Sequence, residues 1–96
     1  VEENKRRDDK MMNELKVISN VKKAANEIAV NEKISLKKTI IVAIECVCYI
    51  FEDEKKETLE QFINRIAIRE GISSMKVNKI LNEVNKIIED IKKLGK

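Results

Sequence analysis

A single internal glycine, Gly71, interrupts a proline-free chain of 96 residues, and the other glycine, Gly95, lies next to the end. Glycine and proline are the strongest local breakers of regular structure, so a chain nearly without them has few places to turn. Ile, Leu, Lys, Glu and Asn dominate the rest. The expectation is an all-α fold, a small helical bundle of four to five helices with short connections. The length suits one domain rather than two. A chain of this size buries roughly 60–65% of its unfolded surface, a modest core.

The apolar residues mark the helices. After a polar extension over residues 1–10, "VEENKRRDDK", a stripe of Met11, Leu15, Ile18, Val21, Ala25 and Ile28 recurs at intervals of three and four, the signature of one helix face. Ser19 and Asn20 are good N-caps and are a place where this helix can break. Ser35 is expected to cap a second helix over about 36–52. That segment is apolar nearly all round, and residues 40–51 are expected to be the most buried. A charged loop, "EDEKKE", follows. Thr58 with Gln61 three positions on forms a capping-box pair that opens a third helix, and Gly71 closes it in a left-handed conformation. Ser73 or Ser74 caps the last helix, whose stripe of Val77, Leu81, Val84, Ile88, Ile91 and Leu94 is close to a heptad. Part of the Val84–Leu94 stripe is expected to need a partner helix or a second copy. No internal repeat or low-complexity segment stands out. Residues 11–96 read as one helical domain, with a helix-turn-helix at about 58–85.

Hydrophobic residues at 43% indicate a folded chain, and charged residues at 39% exceed the usual share of about a quarter. Residues 51–60 hold five acids and two bases, whereas residues 61–96 hold eight bases and four acids. The basic excess therefore accompanies the Gly71 turn, a mild footprint for nucleic acid. Cys46 and Cys48 stand two apart with no histidine in the chain, which is not a zinc-ligand spacing. They read as small buried hydrophobes of a reducing compartment, so the expected location is intracellular. No metal, cofactor or enzymatic activity is expected: there is no histidine, no glycine-rich phosphate loop and no ligand constellation. The longest apolar run, "TIIVAIECVCYIF", is broken by Glu45 and is shorter than the ~20 residues of a membrane span. No signal peptide is visible. A start at Val1 rather than a methionine is compatible with a piece of a longer protein.

The residues around Gly71 follow the requirements of a helix-turn-helix. Ala67 is small enough for a second helix to cross closely. Gly71 supplies positive φ four residues later, and Ile72 packs inward behind it. Val77 and Ile80 then lock the second helix onto the first.

"KKTIIVAIECVCYIF" followed by "FINRIAIREGISSMKVNKILNEV" resembles the later part of a cyclin-like repeat of general transcription factor IIB and its archaeal counterpart, transcription factor B. The resemblance covers about residues 36–85 and rests on Tyr49, Thr58, Ile66, Ala67, Ile72, Ser73, Val77, Glu83 and Val84. It implies a helix-turn-helix whose second helix reads DNA beside a TATA element, with transcription machinery as a further partner. Asn78 and Lys79 stand near the positions where that family carries arginines.

A second helix lying in a groove of duplex DNA presents its outward N-terminal residues, here Ser73, Ser74, Lys76, Asn78, Lys79 and Asn82. Lysines neutralise phosphate, and asparagine pairs bidentately with adenine. Arg65 and Arg69 on the preceding helix are candidate phosphate clamps. Two other readings stay open. One is a helical protein-protein interaction module, including a homodimer. The other is a small subunit of a nucleoprotein assembly, such as a CRISPR effector complex, with RNA as its ligand.

Overall fold

The computed structural model describes the backbone of residues 2–94 and the side chains of residues 13–93. Among these residues the fold is all-α: α1 (Glu2–Glu32), α2 (Leu36–Phe51), α3 (Leu59–Glu70) and α4 (Ser74–Leu94), with no strand. None of the described helices is long and apolar enough to cross a membrane.

Helix α1 starts at Glu2, so residues 2–10 of the polar extension are its first turns. It also runs through Ser19 and Asn20 without a break. Asn20 donates its side-chain amide to the Lys16 carbonyl at 3.0 Å, staying on its own helix instead of capping a new one. The buried face is Val17, Val21, Ala25, Ile28 and Ala29. Leu15, expected on that face, is 60% exposed because it lies on the side of α1 that no other helix covers. The side chain of Met11 is outside the described residues.

Helix α2 is capped by Ser35, whose hydroxyl accepts from the Lys38 amide at 3.2 Å. Its far end closes without glycine: Lys55 Nζ reaches the Ile50 and Glu52 carbonyls at 3.2 and 2.6 Å. Burial is narrower than the sequence suggests. Thr39, Val42, Ala43, Cys46 and Val47 face the core, whereas Ile40, Ile41 and Ile44 are half-buried and Cys48 is exposed. The four-helix arrangement has no element to cover the second apolar side. Thr39 is the buried polar residue of this helix, and its hydroxyl donates to the Ser35 carbonyl at 2.9 Å.

The charged loop is pinned by Tyr49. Its hydroxyl donates to the Glu57 carbonyl at 3.0 Å, and its ring stacks on Phe62 with centroids 4.5 Å apart. The capping box of α3 forms as the residues require: Gln61 N–H donates to Thr58 Oγ1 at 3.2 Å and Thr58 N–H to Gln61 Oε1 at 3.0 Å.

Helix α4 packs against each of the other three helices. Val77, Ile80, Leu81, Val84 and Ile88 are buried, so the core is shared between α2 and α4 rather than concentrated in α2. Lys79 lies beside Glu32, and Ile91 shares a hollow with Asn20, so α4 runs antiparallel to α1. Of the Val84–Leu94 stripe expected to need a partner, Val84 and Ile88 are buried within the chain, whereas Ile91, like its neighbour Ile87, is half-buried. The side chain of Leu94 is outside the described residues.

A repeat emerges that the letters conceal. Ala29, Lys33, Ile34, Thr39 and Val42 occupy in the α1–α2 hairpin the places of Ala67, Gly71, Ile72, Val77 and Ile80, each 38 positions further on. Lys33 has φ 56° and Gly71 φ 67°. Ile34 N–H donates to the Ala29 carbonyl at 3.0 Å, and Ile72 N–H to the Ala67 carbonyl at 3.1 Å. Each is the six-to-one bond of a Schellman turn. Ser35 and Ser73 then cap the next helix, each accepting at 3.2 Å from the amide of a lysine, Lys38 or Lys76.

Candidate nucleic-acid interface

Because Val77, Ile80, Leu81, Val84 and Ile88 take the inner face of α4, the outer face is dictated by helical geometry. Met75, Asn78, Asn82 and Lys86 recur at intervals of three and four, with Lys79 next to Asn78, and all five are exposed. Ser74 is exposed beside them. No acid occurs from Gly71 to Asn82, and the first one is Glu83. The exposed N-terminal half of α4 thus combines a helix N-terminus, which carries partial positive charge, with lysine and amide side chains.

Two hollows flank this face. On the α3 side, Leu59, Glu60, Ile63, Asn64, Ser74, Met75 and Asn78 line a space of about 400 Å³. On the α1 side, Glu27, Asn31 and Glu32 face Lys79, Asn82 and Lys86 across about 320 Å³. Lys79 Nζ lies 3.5 Å from Glu32 Oε1. The carboxylates of α1 therefore offset part of the lysine charge along one edge of the outer face.

The structure brings together Ser74, Asn78, Lys79 and Asn82 from the residues expected to touch DNA. Ser73 is the cap, its hydroxyl committed to the Lys76 amide, and Lys76 is half-buried beside it. Arg65 and Arg69 are elsewhere, on the side of α3 turned toward α2. Arg65 donates Nη2 and Nε to Glu57 Oε1 at 2.7 and 3.1 Å and lies over the Phe62 ring, 5.6 Å from its centroid. The hydrogen bond to Glu57 raises the Arg65 pKa and keeps the guanidinium charged. Arg69 pairs with Glu70 at 2.9 Å and with Glu45 at 3.4 Å. Both arginines tie α3 to its neighbours, as does Lys38, whose Nζ donates to the Glu70 carbonyl at 2.8 Å just before the Gly71 turn.

Met75 and Lys86 complete the outward stripe and were legible in the spacing once the inner face was known. Glu32 has no sequence signal, since only the antiparallel packing of α1 on α4 brings it to Lys79.

The cysteines belong to a different side. Burial pushes the Cys46 thiol up to about 12, with the charge of Glu45 adding to the effect. Cys48 is raised as well, by burial and then by Glu14, Glu45 and Glu52. Both thiols are held protonated, the opposite of an activated cysteine. Contrary to the expectation of two buried hydrophobes, Cys48 is exposed. Among the described residues no three His, Cys, Asp or Glu side chains group as metal ligands do.

Comparison with protein-family models, with curated proteins and with solved structures found no match.

Proposed function

We propose that this chain binds duplex DNA through the helix-turn-helix α3–Gly71–α4, with the N-terminal half of α4 in the major groove. The resemblance to the cyclin-like repeat of transcription factor B makes transcription initiation or its regulation the setting of this proposal. One observation carries it. The outer face of α4 holds Asn78, Lys79 and Asn82 where the equivalent face of α2 holds Ile40, Ile41 and Ile44. The same hairpin architecture thus presents an amide- and lysine-bearing surface in one copy and an isoleucine-rich one in the other. The polar copy matches what a groove demands: amides for base edges and lysines for phosphates.

Fluorescence anisotropy with a labelled duplex at several salt concentrations tests the proposal. Each lysine that neutralises a phosphate contributes a slope of about −0.9 in log K against log salt. Lys79→Ala with Lys86→Ala weakens binding to all sequences and flattens that slope. Absence of binding at low salt, or a slope indifferent to the double change, overturns the reading.

A second reading is favoured by the α2 face itself. Ile40, Ile41 and Ile44 are half-buried with Cys48 exposed alongside, a surface suited to a helical protein partner or a second copy. Under that reading the parent chain associates in sedimentation velocity, and Ile41→Lys with Ile44→Asn abolishes association while leaving the fold intact. A monomer at all concentrations removes the homodimer.

A further inference from the structure

Resting on the reading of α4 as a groove-binding helix, we infer that its outer face is built for A·T base pairs, with Met75 as the contact for a thymine methyl group. Three observations converge. First, Met75 is 71% exposed at the start of α4, on the same stripe as Asn78, Lys79 and Asn82. Its apolar neighbours in the α3-side hollow, Leu59 and Ile63, leave most of the side chain uncovered. The C5-methyl of thymine is the apolar feature of the major groove, and A·T pairs alone carry it there. Second, the amides beside it have a matching partner. Asn78 is one turn from Met75 and Asn82 the next, and asparagine pairs bidentately with adenine N6 and N7. A helix rises 1.5 Å per residue, so Met75 and Asn78 sit about 4.5 Å apart along the axis. That separation lets them address neighbouring base pairs. Third, arginine, the commonest reader of guanine, is missing from α4, and the exposed lysines of its outer face, Lys79 and Lys86, each have a carboxylate neighbour. Arginine and lysine are the bidentate partners of guanine O6 and N7. Helix α4 has no arginine. Arg65 and Arg69 are engaged with Glu57, Glu45 and Glu70 on another side of the molecule. Lys79, the lysine between the two asparagines, has its ammonium 3.5 Å from Glu32. Within α4 no acid precedes Glu83, which favours phosphate at this end of the helix, with Glu60 of α3 beside Met75 and Asn78 and Glu32 of α1 beside Lys79.

The test compares four probes of equal length by fluorescence anisotropy at one low salt concentration: an A·T duplex, the same duplex with every thymine replaced by deoxyuridine, a G·C duplex, and a single strand. The expected order is A·T tightest, with the G·C duplex weaker by about tenfold or more. The deoxyuridine duplex, which lacks only the methyl groups, binds several-fold more weakly than its thymine parent. Met75→Ala erases the thymine-to-deoxyuridine difference, and Asn78→Ala shrinks the A·T-to-G·C ratio. Circular dichroism of each variant checks that its helices are intact. Equal affinity for A·T and G·C, or for thymine and deoxyuridine duplexes, overturns this inference and leaves the duplex-binding reading standing. Binding to no duplex, or preference for the single strand, overturns both.

Discussion

The α1–α2 and α3–α4 hairpins use one turn to different ends. In each, a left-handed residue ends the first helix, an isoleucine follows and donates its amide back five residues, and a serine caps the second helix. In the second helix, Thr39, Val42, Ala43 and Cys46 are buried in one copy, and Val77, Ile80, Leu81 and Val84 in the other. What differs is the outside. Helix α2 carries isoleucines and Cys48 there, and α4 carries asparagines and lysines. The core face of a hairpin is thus constrained by packing, while its outer face is available for a ligand. The pattern of Ala67, Gly71, Ile72, Val77 and Ile80 therefore describes the corner and not its use. What a hairpin binds is set by its outer residues.

The largest effect that separates the hairpins is expected from the pair Cys46 and Val84, which hold equivalent buried places. The Cys46 thiol is raised from its ordinary value of 9.0 to about 12 in the folded chain. Stability from this group is then complete below pH 9 and is lost as pH climbs toward 12, because the unfolded chain deprotonates first. The full loss is on the order of 4 kcal/mol. Thermal melts between pH 8 and 11 should fall more steeply for the parent than for Cys46→Val, which makes the two hairpins alike at this position. Parallel curves for the two proteins contradict the assignment.

Exchanging the left-handed residues gives a smaller difference. Gly71→Ala is expected to cost about 1–2 kcal/mol, since an L side chain resists that backbone region. A Cβ at Gly71 meets nothing within 4 Å, so the cost is one of backbone and not of collision. Lys33→Gly relieves the same strain, with a gain of up to about 1 kcal/mol. Urea denaturation of both variants measures the contrast, and a stabilising Gly71→Ala would show that the two turns do not share their geometry.

Glu32→Gln has the smallest predicted effect on stability, within about 1 kcal/mol, because the Lys79 partner is largely exposed. It sharpens the comparison through binding instead. Freeing Lys79 should raise duplex affinity and steepen the salt slope by up to about one contact. An unchanged slope, with Lys79→Ala still weakening binding, would mean that Glu32 does not restrain this lysine.

Local chemistry made much of the fold legible. The Thr58–Gln61 box, the Ser35 and Ser73 caps and the Gly71 turn involve groups within four or five residues of one another, so their spacing carries the information. The inner face of α4 was likewise readable from Val77, Leu81, Val84 and Ile88. The candidate site was legible in part: Asn78, Lys79 and Asn82 could be placed on an outward stripe. The roles of Arg65 and Arg69 were not legible, because Glu57 and Glu45 approach them only through the way α3 lies against α2 and the loop.

The sequence by itself determined that this chain is helical, where its third and fourth helices begin and turn, and which residues of α4 face inward. These follow from hydrogen bonds and periodicities that close within a few residues. Only the tertiary structure decided that the Val84–Ile88 stripe is buried within the chain, that the second apolar side of α2 stays half-open, and that Lys79 meets Glu32. Those outcomes depend on helices far apart in the chain meeting with a particular face and direction, and no local spacing specifies that choice. The kinship of the two hairpins was hidden for a related reason. Lys33 and Gly71, or Thr39 and Val77, share a backbone conformation or a buried place while sharing no chemistry that letters reveal.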